Sequence, residues 1–154
     1  MSLATYADLK AAIADWLNRT GQPELEARAG DFIALFESLY DKQDIRHPRS
    51  VVRATATAAS EYTALPLDFR EMQRLRTTGS SNWSTHRYVT PEELEDDKAG
   101  DNWGRPHIFT VVGQEIQIRP YETDSELTFE MVYWSTLKRL TDAEPTNWLL
   151  QYNP

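Results

Sequence analysis

Glu92, Glu93, Glu95, Asp96 and Asp97 form an acidic run that could chelate a cation or supply a catalytic carboxylate pair. A calcium loop needs oxygen ligands at fixed alternating positions around a Gly turn, and that pattern is missing here. Acidic residues also favour the first turn of a helix, where the macrodipole attracts negative charge. The run therefore reads as a solvated helix face. His47, His86 and His107 are scattered, without the i, i+4 or HExxH spacing of a zinc site. A hydrolytic triad can be spread along a chain, yet no serine sits in a Gly-x-Ser-x-Gly elbow. The histidines read as structural or surface groups. Gly100-Asp-Asn-Trp-Gly104 has glycines but lacks the Lys-Ser/Thr of a phosphate loop, so it reads as a turn with Trp103 packed nearby. Arg46, Arg49 and Arg53 make a basic cluster, joined by Arg70, Arg74 and Arg76. It can be plainly exposed, pair with carboxylates of a neighbouring subunit, or contact phosphate. No catalytic, cofactor or metal site emerges from these groups.

The elements that carry them follow from periodicity. Thr5-Tyr-Ala-Asp8 has capping-box spacing, and Leu9, Ile13, Trp16 and Leu17 form an apolar stripe behind it. Asn18 to Gly21 supplies a stop. Pro23 opens a second helix whose Leu25, Phe32, Leu35, Phe36, Leu39 and Tyr40 make a wide apolar face. Leu9, Ile13, Trp16, Leu17, Phe32, Leu35, Phe36 and Leu39 are the expected helical part of the core. From Arg49 the period changes to 2: Val52, Ala54, Ala56 and Ala58 alternate with Arg53, Thr55 and Thr57, a half-buried strand. Glu61 to Leu65 is the expected hairpin partner of that strand. Pro66 then breaks the ladder, Glu71 to Thr77 returns to strand, and Gly79 to Ser84 reads as an exposed loop tip. Thr90-Pro-Glu-Glu93 starts a short helix. Ile108 to Val112 and Glu115 to Arg119 flank a two-residue turn at Gly113-Gln114. Leu127 to Trp134 alternates again and should pair beside that hairpin.

Helices followed by strands point to an α+β fold. It comprises an N-terminal pair of amphipathic helices packed with a mainly antiparallel sheet, a short helix after Thr90 and the start of a C-terminal helix. One domain is expected over 1–154: a helical part at 1–47, a β-rich part at 48–140 and the start of a helical arm at 141–154. At 154 residues such a chain buries roughly 68–70% of its unfolded surface. With no cysteine, disulfides, iron–sulfur clusters and thiol nucleophiles are excluded. No signal peptide or membrane-length apolar run is visible, which places the chain in a cytoplasm-like compartment. The net charge of -8 argues against a primary nucleic-acid binder, which needs a basic footprint.

The closing segment is unusual. Pro145-Thr-Asn147 is a helix-start signal, and Trp148, Leu149, Leu150 and Tyr152 follow as an apolar cluster where domains commonly end in polar residues. Such a terminus docks on its own domain or meets a partner. Trp148, Leu149, Leu150 and Tyr152, with Arg46, Arg49 and Arg53, are the candidate interface residues.

Several segments, in this order, resemble the head-to-tail adaptor (connector, or head-completion) proteins of tailed bacteriophages. They are Thr5-Tyr-Ala-Asp-Leu-Lys-Ala-Ala-Ile-Ala-Asp-Trp-Leu-Asn-Arg19, Leu65-Pro-Leu-Asp-Phe69, Tyr88-Val-Thr-Pro-Glu-Glu-Leu94, Gly104-Arg-Pro-His-Ile-Phe-Thr-Val-Val-Gly113 and Pro145-Thr-Asn-Trp-Leu-Leu150. None is a catalytic fingerprint; order and number carry the likeness. The resemblance implies a structural, non-enzymatic virion protein at the head-to-tail junction, assembled in the host cytoplasm. It implies a ring, typically dodecameric, beneath the portal protein, joined to tail or nozzle proteins and extending the DNA channel. An acidic bore would let genomic DNA pass without specific binding. The family usually continues beyond Pro145-Thr-Asn-Trp-Leu-Leu150 with an acidic and aromatic helix, so a portal-docking arm is expected to begin there and to be truncated at Pro154. Trp148, Leu149 and Leu150 should then pack back on the body or be disordered. Two rival readings are a small tail-associated hydrolase, which needs two carboxylates across a cleft, and a monomeric virion binding module using the Gly79–Ser84 and Gly100–Gly104 loops.

Overall fold

Thr5 opens the first helix by a reciprocal pair of hydrogen bonds. In the computed structural model, which describes residues 3–17, 23–43, 45–58, 60–78, 84–96, 107–121 and 127–151, its hydroxyl accepts from the Asp8 amide at 3.2 Å and the Asp8 carboxylate accepts from the Thr5 amide at 3.0 Å. Asp therefore completes the box despite its short reach, and α1 runs Tyr6–Trp16. Pro23 opens α2 (Pro23–Lys42), where a missing amide costs nothing. A short 3-10 turn, Pro48–Ser50, leads to β1 (Val51–Ala58), β2 (Tyr62–Ala64), β3 (Phe69–Thr78), β4 (Ser84–Thr85) and β5 (Arg87–Tyr88). Then come α3 (Pro91–Asp96), β6 (Ile108–Val112), β7 (Glu115–Arg119), β8 (Leu127–Ser135) and α4 (Trp148–Gln151). The architecture is α+β, and among the described residues the strand pairings are antiparallel except β5 with β6.

Two compact units share the chain: Met1–Ser50 with Thr136–Pro154, and Val51–Ser135. The second holds two four-stranded sheets, ordered β1-β8-β3-β4 and β2-β7-β6-β5. Alternate residues of each sheet meet in one apolar core, with Phe129, Met131, Leu75 and Ala58 from the first and Phe109, Ile116 and Ile118 from the second. The β6–β7 hairpin turns at Gly113, whose φ of 62° suits glycine. Two expected pairings are corrected. β8 does not lie beside that hairpin; it is the centre of the other sheet, paired with β1 and β3. β2 is not the partner of β1 but pairs with β7. Alternation fixes which face of a strand is buried, not which neighbour completes its ladder. Local polar contacts decide for β2: the Ile118 amide donates to the Glu61 carbonyl at 3.1 Å, and the Leu65 amide to the Gln114 carbonyl at 2.9 Å.

The first unit also departs from expectation. Its helices bury Ala12, Ala14, Ala29, Ile33 and Glu37, while Leu9 and Ile13 pack partly buried against Ile33, Leu140 and Leu150. Trp16, Leu17, Phe32, Leu35, Phe36 and Leu39, expected in the core, are each at least half exposed. On α2 the inward stripe is Ala29, Ile33 and Glu37 at i, i+4 and i+8. Small residues there admit close approach: a Cβ on Gly30 would stand 2.6 Å from the Tyr6 hydroxyl oxygen. Both stripes of α2 are apolar enough to be core, and size alone favoured the wrong one.

Candidate assembly surfaces

Glu37 organises the C-terminal segment of the first unit. Its Oε1 accepts from the Leu140 amide at 3.0 Å and from Asn147 Nδ2 at 3.4 Å. Arg139 reaches Glu37 at 3.9 Å and Asp41 at 3.0 Å, and Asp41 accepts from the Leu137 amide at 2.9 Å. Burial raises the Glu37 carboxyl above its ordinary value, opposed by the Leu140 amide and by Arg139, while Asp41 raises it further. Asn147 also donates to the Lys138 carbonyl at 3.0 Å, and its Oδ1 accepts from the Leu150 amide at 2.9 Å, which caps α4. The helix start at Asn147 is therefore real.

The apolar residues of α4 pack back on their own unit. Trp148 stacks on His47 with ring centroids 4.6 Å apart and planes 8° apart, and meets Tyr40 edge-on. Leu150 is buried with Ile33 and Leu140. Leu149 lines an open, mainly apolar pocket of about 450 Å³ with Leu3, Leu9, Trp16 and Phe36. Beside this pocket the outward stripe of α2 leaves Phe32, Leu35, Phe36 and Leu39 between 50% and 58% exposed, and Trp16 on α1 is 72% exposed. Tyr152 lies outside the described residues.

In the second unit three arginines converge on one carboxylate. Phe129, Met131 and Tyr133 face the core, so Glu130 and Val132 of β8 face outward. Arg76 on β3 pairs with Glu130 at 2.7 Å, Arg74 at 3.6 Å and Arg53 on β1 at 3.8 Å. The Arg76 hydrogen bond is the main reason the Glu130 carboxyl sits below its ordinary value, with burial opposing it and the charges of Arg53, Arg76 and Arg74 adding to it. Arg53 thus joins Arg74 and Arg76 on the outer face of the sheet, while Arg46 and Arg49 are exposed residues of the first unit.

The remaining candidate groups have structural duties. Thr90 and Glu93 form a second capping box, with amide contacts of 3.0 and 3.2 Å. Glu92, Glu93, Glu95 and Asp96 are exposed, as a solvated helix face requires; Asp97 lies outside the described residues. His86 is buried and bonded to the Thr77 hydroxyl at 2.7 Å, and burial foremost, with His107 adding, lowers its pKa from 6.5 to about 4. Among the described residues no group of three or more His, Cys, Asp or Glu is placed to hold a metal ion, and no helix is long and apolar enough to cross a membrane. Gly100 to Gly104, with Trp103, residues 79–83 of the Gly79 loop and the Asn18 to Gly21 stop lie outside the described residues.

Sequence reasoning did not find the exposed α2 stripe, Glu37 or Glu130. The Ala29-Gly30 pair, and a lone Glu37 eight residues after Ala29, were the available signals of which α2 face turns inward. Among comparisons with known proteins, no curated protein matches the chain. A family model described as SU10 adaptor protein matches residues 4–154. The chain belongs to the SU10 adaptor protein family, structural proteins of the bacteriophage virion.

Proposed function

We propose that this adaptor forms a ring, dodecameric by family resemblance, beneath the portal protein. There it joins the capsid to tail or nozzle proteins and extends the DNA channel. One observation carries the reading: Phe32, Leu35, Phe36 and Leu39 stand at least half exposed on one stripe of α2, beside an open apolar pocket. A contiguous apolar stripe of this kind marks a protein contact, since water solvates it poorly and a partner would cover it. Leu149 lines that pocket and adds to the surface, while Trp148 and Leu150 pack back on the same unit. The acidic balance of the chain, -8, favours a bore that repels DNA phosphates during passage.

The test is to mix the protein with its cognate portal and image the product by electron microscopy. A ring-shaped extension on the portal base is the expected result. Full-length protein that never binds portal overturns the reading, and an assembled ring with a basic bore overturns the DNA-passage part alone. A monomer in isolation is compatible with assembly templated by portal, so the free oligomeric state does not decide the matter.

A further inference from the structure

The second unit carries opposite charge on its two outer faces. The outer face of the β1-β8-β3-β4 sheet holds Arg53, Arg74 and Arg76 around Glu130, with the exposed Glu71 further along β3, so three guanidiniums outnumber two carboxylates. Thr55 and Thr57 are exposed on the same side of β1. Only Arg76 makes a close pair; Arg53 and Arg74 stand at 3.8 and 3.6 Å from Glu130 with side chains 66% and 44% exposed. Among the described residues neither makes a closer ion pair, so much of their charge faces solvent.

The opposite outer face belongs to the β2-β7-β6-β5 sheet. Phe109 and Val111 of β6 face the shared core, so Ile108 points away from it. Leu94 of α3 packs on Ile108 and Val89, which seats α3 on that outer side. Around the buried Leu94, α3 exposes Glu92, Glu93, Glu95 and Asp96. Arg87 lies close by, beside Glu93 and Asp96, and offsets only part of this negative charge.

From this polarity we infer that a second copy of the same chain docks head to tail, its acidic α3 face against the Arg53–Arg74–Arg76 face of its neighbour. Complementary patches on opposite faces of one body generate a heterologous contact, the kind that closes into rings when the rotation is right. A two-fold contact would bring like patches together, and like charge across an interface is strongly disfavoured. This inference rests on the ring-forming reading and adds which surfaces meet.

The test uses two charge-reversed proteins, Arg53→Glu/Arg74→Glu and Glu92→Lys/Asp96→Lys, assembled on portal separately and mixed. Each alone should lose about tenfold or more in the fraction of portals bearing a ring, since like charges then face each other. An equal mixture should recover rings of alternating copies, because each variant retains the patch its partner needs. That recovery also demonstrates that both variants fold. Should Arg53→Glu/Arg74→Glu misfold beside Glu130, the neutral Arg53→Gln/Arg74→Gln pair replaces it. It keeps Arg76 on Glu130 and should flatten the fall of ring yield with salt. Rings from both reversed variants alone, or an unchanged salt dependence in the neutral pair, overturn the inference while leaving the adaptor reading intact. Wild-type protein that fails to ring on portal overturns the adaptor reading instead.

Discussion

The two units differ in how their largest apolar clusters are placed. In the sheet unit Phe129, Leu75, Ile116, Ile118 and Met131 are all nearly inaccessible; Leu67, Tyr88, Val112 and Tyr62 are exposed outside that cluster, and the charged Glu130 and Arg119 are buried in ion pairs. In the helical unit alanines and Ile33 go inward, while Trp16, Phe32, Leu35 and Phe36 stay in water. Burial of such side chains is worth roughly 1.5–3 kcal/mol each, so an exposed set of them is stabilisation left unrealised in the free chain. A sheet core that is complete by itself suits a rigid body. A helical surface that is incomplete by itself suits a joint.

That contrast predicts unequal costs for similar truncations. Phe129→Ala, in the sheet core, should lower unfolding stability by about 3–5 kcal/mol in denaturant titration; a loss under about 1 kcal/mol would mean the sheet core is not closed. Next comes Glu37→Ala, which strips the Leu140 amide of its acceptor, takes one of two acceptors from Asn147 and leaves Arg139 paired with Asp41. A cost of about 1–3 kcal/mol is expected, with a change in Trp148 fluorescence as its stack on His47 loosens. Phe36→Ala should cost less than about 1 kcal/mol in the free protein yet reduce ring occupancy on portal. A cost of several kcal/mol would show that this stripe belongs to the core after all.

The smallest effect concerns pH and differs in sign between the units. His86 binds fewer protons in the folded state between pH 6.5 and about 4, so its contribution is lost as pH falls through that window. Glu130, held below the ordinary 4.5, acts in the same direction at lower pH: its contribution is present above 4.5 and is lost as pH falls through its depressed folded value. Glu37 is raised above 4.5, so its contribution is complete below that value and declines as pH rises through its folded pKa. Melting curves across this range should show a slope that His86→Gln reduces and a countervailing slope that Glu37→Gln removes. Identical responses in both variants would erase the distinction.

How much of this was legible in the sequence depended on range. Thr5 with Asp8, Thr90 with Glu93, and Gly113 in its hairpin involve neighbours within a few residues, and each forms as its spacing implies. Asn147 likewise caps Leu150 three residues on. The choice of β8 as a central strand depends on ladders with β1 and β3, far away in sequence. Glu130 meets Arg53, Arg74 and Arg76 only once those ladders exist. The α2 error has the same root: Glu37 turns inward to meet the Leu140 amide, a partner far away in sequence, and only the small Ala29-Gly30 pair and the position of Glu37 hinted locally at that face. The family resemblance named the class of protein but could not say which helix face stays bare.

Glu37 also sets a clock. One of its oxygens holds the Leu140 amide and Asn147, and Asn147 in turn holds the Leu150 amide. Those two amides should therefore exchange their hydrogens with solvent in a single opening event, at matched rates, although ten positions separate them in sequence. A partner seated on the bare stripe of α2 would slow both together without touching either. Deuterium uptake at Leu140 and Leu150 then becomes a remote reporter of whether the joint is occupied.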